Sequence, residues 1–318
     1  MFAETRRLWR PDGAAIAWHH EAAAGAARGI LLICHGLAEH ARRYARFAAT
    51  MAAAGYHVYA HDHRGHGETT APGAPLGRFA QHGGADIVIA DVLAIRELAR
   101  ERHGDLPVIL FGHSMGGLIA LDAALAHPHA FAALAVWNAD ARGGLRVPAA
   151  TFILKLERMF KGSDVPSDML PRLTFQAWAK AIENAKTPFD WLSRDDAEVA
   201  AYIADPLCGF DASVSMWLDI FALIGRLPAR LRAAPQVGDL PVHLLGGDAD
   251  PATDGGASMI WLGNRLKMHA ISNISSHILS GMRHETLNEI GWETAVSDFA
   301  AWCNQVCGRQ GGKGGTEA

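Results

Sequence analysis

Between Gly29 and Trp137 short apolar runs alternate with longer amphipathic stretches. Residues 30–34, 56–60, 106–111 and 132–137 are nearly continuous apolar runs, which predict strands covered on both faces. Residues 86–103 carry Ile87, Val88, Val92, Leu93, Ile95 and Leu98 on one helical face, with Gly104 as the stop. Strands alternating with helices predict an α/β chain built on a parallel sheet. The rhythm resumes after Pro241, where residues 242–245 and 271–279 predict two more strands and residues 292–306 a closing helix.

In between, from about residue 143 to 235, helical patches are separated by Pro148, Pro166, Pro171, Pro188, Pro206 and Pro228, and no convincing strand is visible. This stretch is expected to be a helical insertion lying over the sheet as a lid. It holds ten of the 25 aromatic residues, most expected to pack the insertion onto the sheet and a minority to line an apolar cleft. The organisation is therefore a core in two parts, 1–142 and 236–307, an insertion at 143–235, and a glycine-rich flexible tail at 308–318.

With 50% hydrophobic residues the chain can bury a large core, so extended disorder is excluded. Its net charge of −4 gives no electrostatic reason to expect nucleic acid. Glu4, Arg6 and Arg7 occupy the place where an export signal would turn apolar, and no apolar run reaches the roughly 18 residues of a membrane span. A soluble, cytoplasmic protein is expected, with Cys34, Cys208, Cys303 and Cys307 as reduced thiols and the last two on one helix face.

The sharpest chemical signal is Gly112-His113-Ser114-Met115-Gly116-Gly117, a G-x-S-x-G pattern after an apolar strand and before a helix. A sharp strand-to-helix turn strains the serine backbone, the flanking glycines remove side chains that would collide, and the helix N-terminus favours an oxyanion beside Ser114. A serine hydroxyl needs a base, and the base needs a third group to hold its tautomer. In this architecture the acid and then the histidine follow the serine, at carboxyl ends of strands. His284 is the base candidate, ahead of His269 and His277. Asp250 is favoured as the acid over Asp248 because it stands deeper in its loop and before Pro251. Leu37, beside Gly36 in the first strand's exit loop, and Met115 are expected to supply oxyanion N–H donors.

His61, His63 and His66 with Asp62 raise a metal alternative, but no matching downstream ligands close a shell, so no metal and no cofactor is expected; Arg64 and Gly65 suggest a surface loop.

Together, residues 35–44 (His-Gly-Leu-Ala-Glu-His-Ala-Arg-Arg-Tyr), 62–68 (Asp-His-Arg-Gly-His-Gly-Glu), 112–117 and 283–289 (Arg-His-Glu-Thr-Leu-Asn-Glu) resemble the monoacylglycerol lipase and lysophospholipase-like group of the α/β-hydrolase superfamily. Trp191-Leu192-Ser193-Arg194-Asp195 and Asp205-Pro206-Leu207-Cys208-Gly209-Phe210 extend the likeness into the insertion. Glu68-Thr69 departs from the family, which often carries Ser there, at no catalytic position. The resemblance implies an α/β-hydrolase fold, a Ser114–Asp250–His284 triad with Leu37 and Met115 as oxyanion donors, and hydrolysis of a small-molecule acyl ester through an acyl-enzyme. Its acid motif falls on Gly247-Asp248-Ala249-Asp250. Acyl transfer by the same triad and non-catalytic binding of a small ligand are the alternatives. The aromatic insertion permits transient contact with a lipid surface; the oligomeric state is not legible.

Overall fold

A computed structural model describes residues 2–144, 146–233 and 238–311. Strands β1 (Arg6–Trp9), β2 (Ala15–Glu21) and β3 (Gly29–Cys34) are followed by helix α1 (Ala45–Ala53), β4 (Tyr56–His61), α2 (Gly84–His103), β5 (Val108–His113), α3 (Met115–Ala126) and β6 (Ala133–Trp137). Five helices come next: α4 (Arg146–Lys161), α5 (Leu170–Leu173), α6 (Phe175–Lys180), α7 (Asp196–Ala204) and α8 (Val214–Ala233). The chain closes with β7 (Val242–Gly247), α9 (Ala257–Lys267), β8 (Ile274–Leu279) and α10 (Trp292–Gly311).

The strands form one eight-stranded sheet in the order β1-β2-β4-β3-β5-β6-β7-β8. From β4 to β8 every pairing is parallel. This is an α/β-hydrolase fold. The apolar runs form strands because helices cover both faces: every residue of β3 and β5 is buried. One cluster packs α2, α3 and α8 against one face, with Ile119 and Leu223 in it, and the other packs α1 and α10 against the opposite face through Phe47, Phe111 and Phe299.

The structure adds two antiparallel strands that the apolar pattern does not mark. β1 is a short edge strand of mostly exposed residues, and β2 is buried along Ala15–Trp18 without alternation, so neither carries a period-two signal. Pro148 and Pro228 separate no helices. The first lies in the opening turn of α4, where a missing N–H leaves nothing unpaired, and the second lies inside α8. Residues 308–311, expected to belong to the flexible tail, are instead the end of α10; residues 312–318 lie outside the described residues, as does Pro235. Two of the ten insertion aromatics, Phe152 and Phe160, stand exposed instead of packing inward.

The loop after β4 is a further correction. It is buried, with His61, Asp62, His63, Arg64 and His66 all at most 4% exposed. Asp62 holds it from inside, accepting the N–H groups of Ala41 and Glu68, while Arg64 pairs with Asp91. The imidazoles pack ring on ring with His35: His35 to His63 at 4.4 Å and His61 to His63 at 4.7 Å between centroids. Burial pushes His61 and His66 down to about 4, the second despite a hydrogen bond from its ring to the Arg64 carbonyl. In the unfolded chain these rings titrate near 6.5. Between pH ~6.5 and ~4 the unfolded state therefore binds more protons, so their stability contribution is whole above that window and is lost as pH falls through it. Calorimetric Tm is expected to drop by several degrees from pH 7 to pH 4.5, and His61→Leu to flatten that slope; an unchanged slope in the variant contradicts this source of acid lability.

Candidate active site

Ser114 sits between β5 and α3 with φ 53° and ψ −121°, a backbone conformation that L-residues avoid. The surroundings enforce it. A Cβ on Gly116 would lie 2.1 Å from the Cys34 carbonyl oxygen, and one on Gly112 would lie 2.2 Å from the Gly116 carbonyl oxygen. Only glycines let α3 start this close to β3 and β5. The turn lifts the Ser114 side chain off the sheet while its N–H donates to the Trp137 carbonyl at 2.9 Å.

Side chains from three loops meet there. His284 Nε2 lies 2.9 Å from Ser114 Oγ, and His284 Nδ1 lies 3.0 Å and 3.1 Å from the two Asp250 oxygens. With Nδ1–H donated to Asp250, Nε2 is left to accept the serine proton. Asp250 is fully buried and also accepts the Thr253 hydroxyl at 2.7 Å, the Ala252 N–H at 2.9 Å and the Asn138 amide at 3.0 Å. Burial alone would raise its pKa. The electrostatic pull of the facing His284 ring and the hydrogen bonds from His284, Asn138 and Thr253 outweigh burial and hold the carboxyl below its ordinary value. Asp248 is exposed and accepts the Gly281 N–H at 2.5 Å, tying the loop after β7 to the loop after β8 without reaching the His284 ring. The structure thus brings Ser114, His284 and Asp250 together and leaves Asp248 outside. His277 faces outward on β8, 2.7 Å from Ser275 Oγ.

Leu37 and Met115 border the same cavity as Ser114 and His284. At the first position of α3, the Met115 N–H has no acceptor within its own helix. The Leu37 loop is tied from two sides: the Gly36 N–H donates to Glu39 Oε1 at 2.6 Å, and the Ala38 carbonyl accepts the Tyr202 hydroxyl and the Gly209 N–H, each at 2.9 Å.

Behind these groups lies a charged network that the sequence patterns did not single out. Glu39 accepts from Tyr44 at 2.8 Å and from Arg43 at 3.0 Å, and faces His113 Nδ1 at 3.3 Å. His113 Nε2 donates to the His284 carbonyl at 3.0 Å, and Arg43 also pairs with Glu285. Burial opposes both charges, yet Glu39 is held down by His113 and Arg43 while His113 is raised by Glu39. One buried cluster thereby fixes the backbone of both the Leu37 loop and the His284 loop. Its members all fall within the segments 35–44, 112–117 and 283–289 that carry the family resemblance, but apart from the i,i+4 spacing of Glu39 and Arg43 no local pattern pairs them.

The site opens on a cavity of about 710 Å³ walled by Leu118, Ile153, Leu173, Phe175, Trp178 and Ile220 among others. Trp191 and Trp178 stand over His284, their ring centroids 5.0 Å and 6.3 Å from the imidazole. Arg142, bridging Asp140 and Asp254, borders the same cavity.

Residues 25–291 match the family model described as serine aminopeptidase, S33. The chain is 28% identical over 285 residues to a monoacylglycerol lipase of Mycolicibacterium smegmatis, covering 86% of this chain and 88% of that one. It is 26% identical over 309 residues to the monoglyceride lipase of Mus musculus, covering 92% and 88%. The crystal structure of a highly thermostable carboxyl esterase from Bacillus coagulans in complex with glycerol superposes with a TM-score of 0.85 at 24% identity, covering 96% of this chain and 98% of that one, a likeness of fold. The match spans the elbow, the Leu37 loop and His284 alike, and the chain belongs to the serine aminopeptidase S33 family of α/β-hydrolases, within its monoacylglycerol-lipase-like group.

Proposed function

We propose that this enzyme, a carboxylic ester hydrolase by its family and relatives, cleaves monoacylglycerols or closely related single-chain acyl esters through an acyl-enzyme on Ser114. One observation carries the reading: the 2.9 Å and 3.0 Å contacts from Ser114 through His284 to Asp250 open directly onto a largely apolar cavity of about 710 Å³. That volume lies within the range that encloses a ligand of up to drug size.

Ser114 Oγ attacks the ester carbonyl carbon as His284 Nε2 takes the hydroxyl proton. The charge on the carbonyl oxygen is met by the Leu37 and Met115 N–H groups, each donor lowering the barrier by about 3 kcal/mol. When the C–O bond to the alcohol breaks, His284 returns the proton to the leaving oxygen. Water then gives its proton to the same nitrogen, attacks the acyl carbon and releases the acid. Asp250 stays ionised throughout, holding the imidazole and stabilising its charged form.

Residues 143–235 act in this reading as the lid. Helix α4 turns Ala149, Ala150 and Ile153 into the cavity while Phe152, Leu156, Met159 and Phe160 form an outward stripe, three of them between 63% and 80% exposed. Lys155 and Arg158 on the same helix suit it to an anionic lipid surface during transient contact. The test is a kcat/KM panel from p-nitrophenyl butyrate through monoolein to lysophosphatidylcholine, run on wild type and on Phe152→Ser/Phe160→Ser. Wild type should hydrolyse monoolein best, and the variant should lose about tenfold on monoolein in vesicles while keeping the short soluble ester within twofold. Cleavage of the short ester with none of either long-chain substrate rejects the substrate assignment.

A further inference from the structure

Strand β2 pairs antiparallel with β4, with His20 opposite Tyr59. Opposed residues share a face of a sheet, as do residues two apart on one strand, so His20, Tyr59 and His57 emerge on the same side. The last residue of α2, His103, packs onto that spot. One ring nitrogen from each of His20, His57 and His103 lies within 4.8 Å of the other two. His20 Nε2 is 3.3 Å from His57 Nδ1, and the His57 and His103 rings stack at 3.7 Å between centroids.

We propose that His20, His57 and His103 bind a late first-row divalent cation, Zn²⁺ being the best suited, which ties β2 and β4 to the end of α2. A tetrahedral ion with bonds of about 2.0–2.1 Å sets its ligand atoms roughly 3.4 Å apart, so the His20 and His57 nitrogens already stand at ligand spacing, while the His103 ring has to turn out of its stack on His57 to aim a nitrogen at the same ion. The Tyr59 hydroxyl, 2.7 Å from His103 Nε2, can hold one nitrogen of that ring while the other meets the ion, as outer partners of metal-bound histidines do. Partly exposed Ala23, whose N–H now reaches His57 Nδ1 at 3.2 Å, can turn to water.

Three neutral imidazoles with no carboxylate among them favour Zn²⁺, Cu²⁺, Ni²⁺ or Co²⁺ over Mg²⁺ and Ca²⁺. All three side chains are half-buried, so an ion can enter from solvent and keep water as its fourth ligand. The opposing charges are Arg6 and Arg102, both drawn onto the Trp18 ring at 5.3 Å and 4.6 Å. The other His-containing cluster of ligand type among the described residues, His40, Asp205 and Cys208, is a poorer site, because Asp205 is already paired with His40 and Arg43 lies beside the thiol.

The site is remote from the chemistry. His57 is the second residue of β4, four residues before His61 at the end that faces the catalytic loops, or about 13 Å of strand. Metal should therefore change stability and leave hydrolysis alone.

The test uses the full chain with no added histidine tag, stripped with EDTA and titrated with Co²⁺, whose visible bands report tetrahedral nitrogen ligation, then displaced by Zn²⁺. One equivalent should bind with micromolar or better affinity, Zn²⁺ should raise Tm, and p-nitrophenyl butyrate turnover should be unchanged. His103→Gln, whose amide can still meet the Tyr59 hydroxyl, should keep the apo Tm within a few degrees yet weaken binding by about 100-fold; His57→Ala should weaken it likewise, and Arg102→Gln should tighten it severalfold. Affinity weaker than about 100 μM, binding undiminished in both His103→Gln and His57→Ala, or binding lost in Cys208→Ser while His103→Gln retains it, overturns the site.

Discussion

Ser114→Ala is expected to lower kcat for p-nitrophenyl butyrate and monoolein by about 10⁶-fold and to abolish labelling by a fluorophosphonate, with Tm within a degree of the parent. The size follows from the role proposed for the hydroxyl: if it is the nucleophile, its loss leaves no acyl-enzyme, and only the proposed oxyanion donors and substrate binding remain, together worth some 10³–10⁴ over water. The preserved Tm follows from the backbone. The positive φ of Ser114 is imposed by the Gly112 and Gly116 contacts with neighbouring carbonyls, and the Ser114 N–H bond to Trp137 is a main-chain bond, so neither changes in the variant. The side chain's only hydrogen-bond partner among the described residues is the His284 ring. A variant that hydrolyses the short ester at the parent rate removes the nucleophile assignment. The opposite substitution makes the complementary point, since Gly116→Ala would drive a methyl into the Cys34 carbonyl and should lose the fold around the elbow along with the activity.

How far the sequence reveals this site depends on whether a residue's role is local. The elbow is local: strand, turn glycines and helix are contiguous, and residues 108–126 fold as their pattern predicts. The parallel strands are legible for the same reason, because burial on both faces leaves unbroken apolar runs. β1 and β2 are not, since their pairing with the edge of the sheet is a tertiary fact that leaves no alternation behind. The polar loop after β4 is read from composition as a surface loop, yet it is buried because Asp62 and Arg64 find partners elsewhere in the chain. The Glu39–His113 network links segments 74 residues apart, and Arg43 with Glu285 links segments 242 apart. Such pairs become visible only when the sheet brings the loops together. The insertion is legible as helical, but which of its aromatics turn inward is decided by how α4 lies over the cavity, and that left Phe152 and Phe160 outside.

The choice of acid gives the second large effect. Asp250→Asn should lower kcat about 10⁴-fold at pH 7, while Asp248→Asn, whose Oδ1 can still accept the Gly281 N–H, should stay within threefold of the parent and give up at most about 1 kcal/mol of stability. Both oxygens of Asp250 are surrounded by donors: Ala252 N–H, Thr253 O–H, the Asn138 amide and His284 Nδ1. An asparagine there must set its own NH₂ against one of them. Turned toward His284, it forces the proton onto Nε2 and takes away the lone pair that would accept the serine proton. Turned away, it faces the Asn138 or Thr253 donors and loosens the loop. The two outcomes separate experimentally: the first keeps Tm and loses turnover, and the second loses both, but each lowers kcat far more than Asp248→Asn does. The reverse ranking of the two asparagine variants would place the acid at Asp248 and contradict the geometry in which that side chain only ties its loop to Gly281 of the next one.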